Sequence, residues 1–168
     1  MATKKSSRKP AKKKASLQPA KKTRKAQPKK KAAVRKASAT ETLKFTSASP
    51  SFTVDDLEKS LAWYTDVVGF SIGEKWERDG KLMGAELAAG GVSFMIGQDD
   101  WKKGRDRKKG EGFRIYLETR QDLDALARAI EFRGGLLDSP PADTPWGSRD
   151  FSLTDPDGFK ITIATPMK

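Results

Sequence analysis

PWGSRDFSLTDPDGFKITIA, residues 145–164, reads as strand, tight turn, strand. SRDFSLT and FKITIA are the two strand runs, and the four residues between them, Asp155-Pro156-Asp157-Gly158, suit a type I turn followed by a residue of positive φ. Asp155-x-Asp157-Gly158 also begins a calcium loop, but the rest of that loop, including its terminal Glu, is missing. The two aspartates therefore read as turn formers.

Working back from this hairpin, FRIYLE (113–118) is a strand with Ile115 and Leu117 on one face and Arg114, Tyr116 and Glu118 on the other. Asp122 leads a helix whose Leu123, Leu126, Ala127 and Ile130 form one apolar stripe, stopped by Gly134-Gly135. LLDS (136–139) is a short strand. The order is thus strand, helix, three strands. The first half of the chain repeats it. SFTV (51–54) is a strand, Asp55 or Asp56 caps a helix, and Leu57, Leu61, Tyr64 and Val68 lie at 4, 3, 4 spacing. Gly69 stands where a left-handed C-cap belongs. FSIGEKWE and LMGAELAA flank Asp79-Gly80, a strong two-residue hairpin signal, and VSFMIG (92–97) is the next strand. A polar linker, QDDWKKGRDRKKG, separates the halves.

Charge divides the chain differently. Residues 1–40 hold 16 of the 34 basic side chains and no acid, whereas 41–168 carry the remaining 18 against all 22 acids. The pI of about 9.9 therefore belongs to the tail, and the segment behind it is mildly acidic and long enough for one domain with a core. The tail repeats loosely as KPAKKKASL, QPAKKTRKA and QPKKKAAVR, with Pro10, Pro19 and Pro28 marking the period. Without aromatics it cannot bury enough surface to offset the entropy of ordering, so it reads as a disordered arm. Lys12, Lys13, Lys14, Lys21, Lys22, Arg24, Lys25, Lys29, Lys30 and Lys31 are its candidate contacts to nucleic acid or another polyanion. Such contacts would be nonspecific, because no ordered element is available to enter a groove. Absence of Cys excludes disulfides and thiolate chemistry and fits a reducing interior. No apolar run approaches the roughly 20 residues of a membrane span. The expected location is the cytoplasm, with nucleoid association through the arm.

Three passages carry a resemblance: FTVDDLEKSLAWYTDVVGF (52–70), YLETRQDLDALARAIEFRGG (116–135) and the hairpin 145–164, with Trp-Gly and Asp-Pro-Asp-Gly as its most specific pieces. Together they resemble the vicinal oxygen chelate superfamily of glyoxalase I and the bleomycin-resistance proteins. The resemblance implies an α+β fold in which two βαβββ modules build one domain over residues 41–168, behind the disordered basic tail 1–40. It also implies a homodimer. Catalytic members hold a divalent metal with four side chains, usually His and Glu, two from each module. Carried onto this chain, those positions fall on Ser49, Met95 (Phe94 in the neighbouring register), a residue near Arg114, and Thr162. Zn, Ni, Fe and Mn want imidazole, carboxylate or thiolate, and the chain contains no His and no Cys. The expectation is a scaffold without a metal or other cofactor.

The remaining candidates have two readings each. Arg114 and Tyr116 either line a cleft, binding an anion through the guanidinium fork and stacking through the phenol, or belong to a solvated sheet face. Trp101 and Trp146, in loops, either wall a pocket or pack their loops. The ligand-binding set is accordingly Ser49, Met95, Trp101, Arg114, Tyr116, Trp146 and Thr162. The function these residues imply is sequestration of a small organic molecule. Two alternatives stand beside it. One is an active lyase, isomerase or dioxygenase relative with a relocated metal or acid–base work by Glu86, Glu118 or Tyr116. The other is a nucleic-acid-associated protein whose domain is a dimerising platform.

Overall fold

The computed structural model describes residues 45–167. The arm 1–40, with its candidate polyanion contacts, lies outside them. Two four-stranded sheets make up the domain. The first is built from β1 (Ser51–Val54), β2 (Ser71–Arg78), β3 (Lys81–Ala89) and β4 (Val92–Gln98), in the order β1-β4-β3-β2. The second takes β5 (Arg114–Glu118), β6 (Leu137–Asp143), β7 (Arg149–Thr154) and β8 (Lys160–Ala164), in the order β5-β8-β7-β6. β1 runs parallel to β4 and β5 parallel to β8; every other pairing is antiparallel. Each module therefore closes on itself by bringing its first strand beside its last, across the helix between them.

Local chemistry accounts for most of the boundaries. Asp56 caps α1 (Leu57–Ala62) by accepting from the Lys59 N–H, and Asp122 caps α2 (Leu123–Phe132) by accepting from the Ala125 N–H, each satisfying an otherwise orphaned donor. α1 continues as a π-helical turn over Trp63–Val68, which keeps Tyr64 and Val68 on the buried stripe. Gly69 ends it at φ +103°, and both the Gly69 and Phe70 N–H groups return to the Tyr64 carbonyl. Asp79 and Gly80 both have positive φ, the requirement of a type I′ hairpin.

The expected short strand LLDS is longer than the sequence suggested. β6 runs through Pro140-Pro141 to Asp143, with register irregularities on either side of Ser139. Two prolines are tolerated because β6 is the outer strand of its sheet and its pairing with β7 passes from Ser139 to Ala142, leaving both outside the ladder.

One apolar cluster holds the domain together. Val54, Ala85, Leu87, Phe94 and Ile96 face α1, while Ile115, Phe151, Leu153, Ile161 and Ile163 meet Leu123, Ala127 and Ile130 of α2. Alternation along each strand leaves the other sheet faces free to build a site.

Candidate functional site

Register decides which residues share those free faces. Ser51 stands opposite Met95, and Met95 opposite Glu86, so the three cross the first sheet in one row. Thr53, Gly97, Gly84 and Trp76 form the next row. Two glycines make room on this face, Gly84 beside Trp76 and Gly73 beside Glu86. A Cβ on Gly84 would come 3.2 Å from the Trp76 ring and 2.9 Å from the Ile96 carbonyl, and one on Gly73 would come 2.7 Å from the Glu86 carboxylate. Trp76 is the residue that sequence reading missed; its strand pattern is blurred by the bulges of β2. Ser49 lies two residues before β1 and is exposed, and the residue aligned with Met95 is Ser51.

On the second sheet, Arg114, Tyr116 and Glu118 share a face with Lys160, Thr162 and Ala164 through the β5–β8 register. Thr162 is buried, and the Arg114 guanidinium donates to its hydroxyl through Nη1. Tyr116, directly opposite Thr162, keeps half of its surface open. Ser152 continues this row, and its side-chain oxygen lies 2.8 Å from that of Ser139.

The linker crosses between the modules and is pinned at three points. Asp99, almost fully buried, accepts from the Trp101 N–H and binds both Arg107 and Lys109. Lys109 also reaches Asp55 at 2.8 Å. Gly110, at φ +67°, lies against the β7–β8 turn so closely that a Cβ there would be 2.1 Å from the Gly158 carbonyl oxygen. Trp101 does not stand alone as a pocket wall: the Arg105 guanidinium carbon lies 4.4 Å and Lys109 Nζ 5.1 Å from its ring centroid. Trp146, in the β6–β7 loop, is largely exposed.

The hydrogen bond from Lys109, followed by that from Trp101, holds the Asp99 carboxyl down at about 2. An ordinary Asp titrates near 3.9. A carboxyl depressed on folding adds stability above its unfolded value, and that contribution is lost as pH falls through its folded value. Thermal unfolding followed from pH 5 to pH 2 is expected to show a drop in midpoint between about pH 4 and 2. Asp99→Asn should flatten that part of the profile. An unchanged slope would mean Asp99 does not anchor the linker.

Two open depressions flank the pinned linker. One, of about 640 Å³, is bounded by Lys108–Arg114 on one side and by Asp157, Gly158 and Lys160 on the other. The second, of about 680 Å³, is bounded by Ser51, Phe52, Thr53 and Phe159 together with the same linker. Phe113 lines both. Both depressions are broadly open to solvent.

The residues at the four metal positions implied by family resemblance do not fit a divalent cation. A thioether, alcohols and a guanidinium are poor partners for such an ion, and Arg114 already spends a donor on Thr162. Among the described residues no three His, Cys, Asp or Glu side chains come together as a metal site. Glu86 has Met95 as its register neighbour, and Glu118 is exposed at the end of β5. Also among the described residues, no helix is long and apolar enough to cross a membrane.

No curated protein matches the chain. Solved structures do. TnmS3, an antibiotic binding protein from Streptomyces sp. CB03234, is 28% identical, with 71% of this chain and 96% of that one covered at a TM-score of 0.54. A glyoxalase/bleomycin resistance protein/dioxygenase superfamily member from Sphaerobacter thermophilus is 27% identical over 71% of this chain and 98% of its own, at a TM-score of 0.56. TioX from Micromonospora sp. ML1 shares the fold at 19% identity and a TM-score of 0.57, covering 73% of this chain and 98% of TioX. The model of the Glyoxalase/Bleomycin resistance protein/Dioxygenase superfamily matches residues 46–163, and with two closed βαβββ modules over that same span the chain belongs to that superfamily.

Proposed function

We propose that this protein sequesters a small organic molecule in the cleft beside its linker, without a metal and without transforming its guest. The observation that carries this reading is the Arg114–Thr162 pair. A guanidinium and an alcohol bonded to each other stand where the resemblance places half of a metal's ligands, and they offer recognition rather than Lewis-acid chemistry. Phe113 and Phe159 supply apolar surface beside the linker and Ser51 and Thr53 supply hydroxyls for orientation, while Met95, Trp76 and Tyr116 extend the open sheet faces beyond the depressions. The likeness to an antibiotic binding protein supports the same class of ligand.

Titrating the full chain with a panel of planar, cationic and anionic antibiotics tests it through Trp emission. A saturable change is expected for at least one compound, and Trp76→Phe should remove most of it. A silent panel overturns the reading. One transition metal per chain, found by elemental analysis of protein purified without chelator, would favour the enzymatic alternative instead.

Two further elements belong to this proposal. The arm 1–40, with a charge of +16, binds nucleic acid or another polyanion nonspecifically. Its DNA retention should weaken by about 0.9 log units per log unit of salt for every phosphate neutralised. It should vanish in a chain beginning at residue 41; equal retention removes the idea. A homodimer is the expected assembly, and the exposed Phe132 and Leu136 at the end of α2 support a subunit contact. Light scattering of the full chain decides between one copy and two.

A further inference from the structure

Accepting the cleft as a binding site, we propose that its linker–β8 depression is an anion subsite. Arg114 and Lys160 would hold a carboxylate, phosphonate or phosphate group on a small aromatic molecule. The motivating feature is an uncompensated like-charge pair. Arg114 and Lys160 are register partners on β5 and β8 and project from the same sheet face. Like charges set directly opposite one another cost a sheet stability. Around the linker other cations are matched: Arg107 and Lys109 meet Asp99, and on β7 Arg149 meets Asp124 and Asp143. Arg78 and Lys81 also face each other across the β2–β3 hairpin, but they line neither depression. Among the described residues neither Arg114 nor Lys160 forms an ion pair. Both line the 640 Å³ depression, and Lys108 closes it from the linker.

Among the described residues the acids nearby form no ion pair with either cation, although Asp157 and Glu111 line the same depression. Asp157 is committed to the Asp55 N–H at 2.6 Å and the Ser60 hydroxyl at 2.9 Å. Asp138, reached through Thr154 in the next register position, accepts the Thr154 hydroxyl at 2.6 Å. Glu111 lines the depression but is exposed on the linker. Arg114 spends Nη1 on Thr162, which fixes the plane of the guanidinium and leaves its other donors for a forked contact with an oxyanion. The organic part of the ligand follows from what stands beside the cations. Phe113 lines the depression, and Tyr116 lies two residues along the same face of β5 with half its surface open.

The test uses the full chain, with phenylphosphonate, inorganic phosphate and benzyl alcohol as probes and backbone amide NMR as the readout. Residue-resolved shifts separate this subsite from the cationic arm. Phenylphosphonate should give saturable shifts at Arg114, Lys160 and Gly112, inorganic phosphate should bind more weakly at the same residues, and benzyl alcohol should leave them unmoved. Arg114→Gln or Lys160→Gln should weaken phenylphosphonate about tenfold or more, the loss of one charge-assisted contact. A second signature comes from melting. In anion-free buffer Lys160→Gln should unfold at the same or a higher temperature than the native chain, and should lose the gain that phenylphosphonate confers on it.

Shifts confined to residues 1–40, or equal affinity in native chain and variants, would overturn the proposal. Phosphate binding as tightly as phenylphosphonate would overturn its aromatic half. If the antibiotic panel perturbs Trp emission while phenylphosphonate binds nowhere in the cleft, the anion subsite falls and the binding-protein reading stands. If the panel is silent as well, both fall.

Discussion

Asp155→Ala is expected to lower the free energy of unfolding by about 3 kcal/mol, the loss of a single buried acceptor that serves three donors. Its carboxylate accepts from the Tyr64 hydroxyl at 2.9 Å, the Phe159 N–H at 2.7 Å and the Asp157 N–H at 3.0 Å. Tyr64 is fully buried, so its hydroxyl has no water to fall back on. The bond also joins elements 91 residues apart, tying the helix of the first module to the closing hairpin of the second. Burial raises the Asp155 carboxyl above the usual Asp value, against the pull of the donors it accepts, and burial together with the Asp155 charge raises the Tyr64 phenol. Asp155→Asn should therefore be far milder, within about 1 kcal/mol, because it keeps an acceptor for the two N–H groups and removes the cost of a buried charge. Tyr64→Phe should fall between the two. Urea unfolding of the three variants measures the order. Equal losses for Asn and Ala would show that the carboxylate itself, which both variants remove, holds this turn and that one amide oxygen cannot replace it.

Gly110→Ala is the second large effect, at about 2 to 4 kcal/mol. Two costs add. The residue sits at φ +67°, where any L side chain is strained, and its Cβ would lie 2.1 Å from the Gly158 oxygen and 2.5 Å from the Phe159 nitrogen. These are backbone atoms and cannot swing aside. The linker must lift from the β7–β8 turn, opening both depressions that share it. Gly112→Ala is the control: its φ is +74° but nothing lies within 4 Å of the added carbon, so only the backbone cost of about 1 to 2 kcal/mol should appear. If the two substitutions destabilise equally, close approach at Gly110 contributes nothing.

Both effects were invisible in the amino-acid order, for a common reason. The turn formers at 155–158 were legible, because Asp, Pro and Gly act on their own backbone. That Asp155 also anchors Tyr64 depends on a meeting across two modules, and no local signal encodes it. Gly110 was one of several glycines in a polar linker until the turn it touches was in place. The candidate site divides the same way. Arg114 and Tyr116 were placed on one face by strand alternation alone, and the face is the one observed. Family resemblance implies Ser49 as a site position, and the ladder places Ser51 beside Met95. Trp76 went unnoticed because the β2 bulges interrupt the two-residue period that would have marked it.

Periodicity, caps and turn chemistry thus determined the two βαβββ modules and the helix ends at Gly69 and Asp122, and narrowed the first cap to Asp55 or Asp56. These are properties of neighbouring residues or of side-chain chemistry, and need no third dimension. The tertiary structure alone decided which residues meet: Arg114 with Lys160, Tyr64 with Asp155, the linker against the closing turn. Strand register and module packing bring together groups far apart along the chain, and it is in those encounters that the cleft acquires its charge and its walls.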